Sequence, residues 1–236
     1  MNGTKTLESM IVHHCAPVLG GIKSGGLFNV PFDAKASLAA NESAFKGSKD
    51  VPGGSFSRSL REAQVKLAPL GVFVDILATR PFGALVYVYR PDMVVRTLRQ
   101  TKPMRFLQSY GYPNTCSVKP HIERMRRRIA ETDASTSCAH ACRFPHEIGL
   151  FLGYPLEDVI GFIENQGRNC LACGCWKVYS NERDAQTCFG CFRSCTKQMR
   201  TLFREGVPIE ELARLHIPVD ARQARLKADE SHASAR

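Results

Sequence analysis

The chain has 236 residues, 44% of them apolar, with a formal net charge of +10. That length allows one substantial core, and the apolar share is ordinary for a globular protein. No run approaches the roughly 18 to 20 apolar residues that span a bilayer, and the first residues, MNGTKTLESMIVHHCAPV, lack the basic, apolar and small-residue stretches of an export signal. A cytoplasmic protein with no membrane insertion is therefore expected. In a reducing compartment its ten cysteines point to metal binding, redox chemistry or burial rather than a disulfide framework.

In chain order, Leu7, Met10 and Ile11 predict a short helix over 4–14 that stops at Cys15-Ala16-Pro17, because proline disfavours helix in the residue before it. The glycines of 20–26 read as a turn entering a strand near Leu27. A helix or loose connection covers 34–45, GSKDVPGGS (47–55) is a loop, and 57–69 is helical. GVFVDIL (71–77) and ALVYVY (84–89) are rich in β-branched and aromatic residues, and the short link between them suits an antiparallel hairpin. Tyr87, Tyr89 and Arg90 at its end are candidates to line a pocket for an anionic ligand. Asp92 is the expected cap of a helix toward Gln108, and a second helix covers 118–130. After a polar linker containing Cys138, His140 and Cys142, Pro145 starts a short helix through Leu152. Leu156 to Asn165 is helical with Val159, Ile160 and Phe162 inward, 176–179 is a strand, and Asn181 caps a helix to about Glu205. The expected fold is a single α+β domain over 1–218, a small and mainly antiparallel sheet built near Leu27, Val72, Leu85 and Lys177 and covered by helices. Residues 219–236 read as a disordered polar tail.

Four phrases in order, CAPVLGGIKSGGLF, LVYVYR, HEIGLFLGYPLEDVIGFIEN and CGCWKVY with the helix ending at Cys195, resemble an uncharacterised bacterial domain-of-unknown-function family found mostly in anaerobes. The resemblance runs from about Cys15 to Cys195. It implies a cytoplasmic protein, often encoded beside ferrous-iron uptake and flavodoxin genes, hence flavodoxin or iron transport as partner contexts. Cys15, Cys173 and Cys195 fall at positions familiar in that family, whereas Cys175, Cys188 and Cys191 are additions of this chain.

Three constellations carry chemistry. Cys170-x2-Cys173 and Cys188-x2-Cys191, with Cys195 beyond, approach the spacing of a zinc or iron-sulfur site. Against that, Cys188, Cys191 and Cys195 also have the i, i+3, i+7 spacing of an ordinary buried helix face. Cys15, beside glycines and near Lys23, is a candidate nucleophile with His146 as base and Asn165 or Asp158 as orienting group. The plain reading of His146 and Glu147 is helix capping, with metal ligation by His146 the alternative. Arg124, Arg126, Arg127 and Arg128 form the dense basic cluster. A solvated helix face is its plain reading and an anion or RNA site the alternative, although the absence of interleaved aromatics argues against nucleic acid. The leading functional expectation is a protein that handles metal or thiol redox state in iron metabolism, ahead of a Cys15/His146 enzyme and an anion- or RNA-binding module.

Overall fold

The computed structural model describes residues 6–32, 54–134 and 144–215. The segments 34–45 and 47–53, the cysteines and histidine of 138–142, and the 219–236 tail lie outside the described residues.

Helix α1 spans Leu7–Leu19, with Thr6 accepting the amide of Ser9 at its start. Its helical path is interrupted at Cys15, where the sequence placed its end, but a second helical segment follows directly. Cys15 departs from helical geometry (φ −125°, ψ 18°) and the chain then resumes its helical path. Pro17 falls in the first turn of the resumed segment, where its missing N–H deprives no carbonyl of a partner. Strand β1 (Gly25–Pro31) follows, then α2 (Gly54–Leu67), a 3-10 turn (Ala68–Leu70), β2 (Phe73–Arg80) and β3 (Gly83–Tyr89). The sheet order is β1-β3-β2, antiparallel throughout, with a bulge at Leu77. Glycine is required at Gly25: a Cβ there would lie 2.6 Å from the Phe151 carbonyl oxygen and from the ring of Tyr87.

The single helix expected after Asp92 is two, α3 (Pro91–Leu98) and α4 (Thr101–Ser109). Arg90, not Asp92, holds the cap position. Asp92 sits in the first turn, where the helix dipole favours it. Pro103 explains the break, since proline is tolerated in a first turn but not in an interior. Helix α5 runs Val118–Ala134, a 3-10 turn covers His146–Leu150, and α6 covers Leu156–Glu164. On α6 Val159 is buried while Ile160 and Phe162 are half-buried. Residues 172–178 form a separate hairpin, β4 (Ala172–Cys173) with β5 (Lys177–Val178), so the strand near Lys177 is not part of the main sheet. Asn181 caps α7 (Glu182–Arg204) through the amide of Asp184, and α8 is a short turn at Ile209–Leu212. The described residues thus form an α+β fold with a small antiparallel sheet, and among them no helix is long and apolar enough to cross a membrane.

Two cores flank the sheet. One joins α1, α2, β1 and the inward face of α7 through Ile11, Cys15, Phe28, Leu67, Phe192, Cys195 and Met199. The other joins β3, α3, α4, α5 and the 144–159 region through Tyr87, Leu107, Met125, Ile148 and Phe151. Alternation along β3 sends Val86 and Val88 to the first and Tyr87 and Tyr89 to the second.

Candidate functional site

The arginine cluster on α5 is not a solvated basic face. Arg126 donates to the Ile76 carbonyl and to Asp75, both at 2.8 Å, and covers the outer edge of β2. Gln64 donates to the Val74 carbonyl on the same strand. These contacts occupy edge groups that would otherwise invite another strand. Arg124 donates to the Tyr110 carbonyl and to Glu131. Arg128 donates to Glu147 at 2.9 Å, a carboxylate only 1% exposed, which also receives the Tyr112 hydroxyl. Arg127 is the member of the four that stays exposed. The cluster therefore anchors α5 to β2 and to the 146–150 turn. Arg90 likewise serves the interior, donating to the carbonyls of Val18, Leu19 and Leu70 and closing the C-terminal end of α1. Tyr87 donates to the Phe151 carbonyl and Tyr89 to Asp75.

Cys15 is fully buried, its sulfur pressed against Gly26, where a Cβ would come within 2.5 Å of it. Burial pushes its thiol up to about 12, with Lys23 pulling weakly the other way. At neutral pH it is a thiol. His146 is exposed, its ring edge-on to Phe162 at 4.7 Å and near Phe144. Burial lowers its pKa and Glu147 partly offsets this. The structure does not bring Cys15 and His146 together. The proposed orienting groups are engaged elsewhere: Asn165 donates to the Gly161 carbonyl, and Asp158 binds the hairpin. Cys195 is buried beside Cys15's core and is also pushed up to about 12 by burial. Cys188 packs against that core and Cys191 is half-buried. Among the described residues no group of three or more His, Cys, Asp or Glu side chains is arranged to hold a metal ion.

Three described cysteines are exposed, Cys116 ahead of α5 and two together on the β4–β5 hairpin. Cys173 and Cys175 are exposed on either side of Gly174, and Cys170 is half-buried just before β4. Two anchors hold this hairpin. Beneath it, Gly174 rests directly on the Phe189 ring, leaving no room for a side chain, and Trp176 meets Phe189 edge-on at 4.5 Å. At its far end Asp158, 2% exposed, accepts four hydrogen bonds. The donors are Trp176 Nε1 (2.7 Å), Tyr179 N (2.7 Å), Ser180 N (2.9 Å) and Ser180 Oγ (2.8 Å). One buried carboxylate thus ties α6 to the hairpin with its charge well solvated by donors. Burial, then Cys170, Asp158 and Cys173, raise the Tyr179 phenol.

Lys23, from the loop between α1 and β1, reaches the same place. Its ammonium lies 5.3 Å from the Tyr154 ring centroid and 5.8 Å from that of Phe192, within cation–π range. Tyr154 stacks on Trp176 at 5.2 Å and donates to the Cys175 carbonyl at 3.2 Å. The GIKSGG, GYP and CGCWKVY phrases therefore meet around one cation and three rings. Sequence reading missed Tyr154 and Asp158 as organisers of this cluster. Aspartate in the first turn of α6, three residues after the cap Pro155, was the available signal, but it reads equally as a dipole contact.

The class defined by this architecture is an α+β protein with a small antiparallel sheet, two helical cores and a thiol-bearing hairpin. Over residues 11–213 the chain matches a family model described as "Protein of unknown function (DUF3793)", and it belongs to that family. Comparison with curated proteins and with solved structures finds no match.

Proposed function

We propose that the protein acts in thiol redox chemistry through the cysteines of the β4–β5 hairpin. The observation that supports this reading is the contrast in surroundings. Cys173 and Cys175 are exposed two residues apart on an anchored hairpin, with Cys170 beside them, whereas Cys15 and Cys195 are buried and pushed up to about 12; burial raises the Cys175 thiol too, so the contrast is one of access. Thiol exchange requires access and a fraction of thiolate, and the buried pair has neither. In the reaction class proposed, two hairpin thiols lose two protons and two electrons to a disulfide-bearing partner. They close into an intramolecular disulfide as the partner is released as two thiols.

The test is a redox titration in glutathione buffers, with quenched alkylation and peptide mass mapping. A disulfide contained within 169–177 is expected while Cys15 and Cys195 remain thiols. The sole tryptophan, Trp176, adjoins Cys175, so its emission should follow the same transition. Hairpin thiols that stay reduced until the buried cysteines oxidise on unfolding would sink the reading.

A further inference from the structure

Helix α7 carries a stripe of cations that nothing neutralises among the described residues. Arg193, Lys197, Arg200 and Arg204 stand at i, i+4, i+7 and i+11 of one helix. At about 100° per residue they fall within about 60° of its circumference and span about 16 Å along its axis. Arg193, Lys197 and Arg204 are exposed and Arg200 is half-buried. Between Asp184 and Glu205 the helix has no acidic residue, and among the described residues none of the four cations makes an ion pair. The arginines of α5 are the contrast, since Arg124, Arg126 and Arg128 are tied to carbonyls and carboxylates of the protein itself.

The stripe is continuous with the thiol hairpin. Phe189 lies one turn before Arg193 on the same ridge of α7, about 6 Å along the axis. Its ring is the one on which Gly174 rests, between Cys173 and Cys175. The hairpin therefore stands at one end of the cationic ridge.

Resting on the thiol-redox reading above, we propose that this ridge is the docking surface for a disulfide-bearing protein with a row of carboxylates on its contact face. The carboxylates lie against Arg193, Lys197, Arg200 and Arg204, which brings the partner's disulfide to the hairpin. Two protons and two electrons then pass from two hairpin thiols to that disulfide, which is released as two thiols while the hairpin closes its own. The surface suits protein over nucleic acid. It is a single ridge bordered by the neutral Ser194, Gln198 and Thr201, whereas a surface that tracks a nucleic-acid strand is broadly basic and offers rings for base stacking. The aromatics of this stretch are turned inward: Phe189 and Phe192 are buried and Phe203 is half-buried. Nucleic acid also carries no disulfide for the hairpin to reduce. Charge-steered docking over a small area fits a redox encounter that must form and dissociate quickly.

The experiment uses the full-length reduced protein and three helical peptides that differ only at four positions spaced i, i+4, i+7 and i+11, occupied by Glu, Gln or Lys. Each peptide ends in a cysteine activated as its thiopyridyl disulfide. A hairpin thiolate that attacks the cysteine sulfur forms a mixed disulfide and releases thiopyridone, whose absorbance gives the rate, and mass mapping locates the captured peptide. Rates are normalised to a free peptide of sequence CGCWKVY. At low ionic strength the Glu peptide should react about tenfold faster than the Gln peptide, and the Lys peptide more slowly than either. The preference should vanish in Arg193→Gln/Lys197→Gln/Arg200→Gln/Arg204→Gln and at about 1 M salt, where charges are screened beyond about 3 Å. It should persist in Arg96→Gln/Arg99→Gln/Lys102→Gln/Arg105→Gln, which removes as much exposed charge from the α3–α4 region, packed on the other core. Circular dichroism verifies the fold of both variants. Equal normalised rates for the Glu and Gln peptides, or a preference that the α3–α4 variant abolishes as fully as the α7 variant, would overturn the proposal. So would an RNA oligonucleotide of equal charge that outcompetes the Glu peptide for the ridge. Fluorescence anisotropy of a Glu peptide ending in serine reads docking apart from the thiols. Selective docking without capture at any hairpin cysteine sinks the thiol-redox reading, and with it the disulfide assigned to the partner. Capture without charge preference sinks the docking surface alone.

Discussion

Replacing Asp158 tests whether one buried carboxylate holds the hairpin to the body of the protein. In the structure it accepts from Trp176 Nε1 through one oxygen and from Tyr179 N, Ser180 N and Ser180 Oγ through the other. A hydrogen bond to a charged acceptor contributes about 1.5 to 3 kcal/mol, but bonds to one group are not additive. Asp158→Ala strands four donors that share it, and a cost of about 4 kcal/mol follows from the penalty for breaking a buried charged network. For a domain of this size that is a fall of roughly 10 °C in Tm. Asp158→Asn keeps the oxygen facing Tyr179 and Ser180 but turns an NH2 toward Trp176 Nε1–H, donor against donor, so a smaller loss of about 2 kcal/mol is expected. Urea unfolding followed by Trp176 emission and by circular dichroism provides the assay. In Asp158→Ala the emission should shift red in the native baseline, because the indole loses both its acceptor and its packing. Wild-type midpoints in both variants, with unchanged native emission, would refute the reasoning.

Two pH dependences follow from burial. Cys15 and Cys195 are both pushed up to about 12 from an ordinary 9.0. A raised folded pKa means the folded state holds the proton more tightly, so their contribution is complete below about pH 9 and is lost as pH rises toward 12. Denaturant midpoints should fall across that window, and less steeply in Cys15→Ala/Cys195→Ala. His121 behaves in the opposite sense. Its ring is fully buried between Tyr112 and Phe151, Nδ1 bonds the Ser117 carbonyl at 2.7 Å, and Nε2 has no hydrogen-bond partner among the described residues. Burial lowers its pKa below 6.5, and the nearby carbonyls of Ser117 and Pro113 offset this in part. Stability attributable to it is whole above about pH 6.5 and declines as the unfolded chain takes up the proton below that. His121→Gln should flatten the acid side of the stability profile, as read by urea midpoints between pH 7 and 5. An unchanged acid limb would remove His121 as its source.

The sequence by itself determined the local structure. Asn181 as a cap, proline and glycine punctuation, the β-branched and aromatic runs of β2 and β3 and the family phrases all report on the few residues around them. Where local rules misled, the cause was again local. Pro17 and Pro103 were compatible with helix because each fell in a first turn, and residues beside them could not decide that. Tertiary structure decided what the charged and thiol groups do. Arg126 with Asp75, Arg128 with Glu147, and Asp158 with Trp176 are partners 51, 19 and 18 residues apart. No periodicity encodes such pairs, since each depends on which helix face the sheet and its two cores turn toward the partner. The cysteines show the same division. Spacing marked Cys170, Cys173, Cys188, Cys191 and Cys195 as one set, and folding divided them between an exposed hairpin and an inward helix face. Access to solvent, which governs whether a thiol can react, is a property of the packed molecule and is not written in the spacing of its residues.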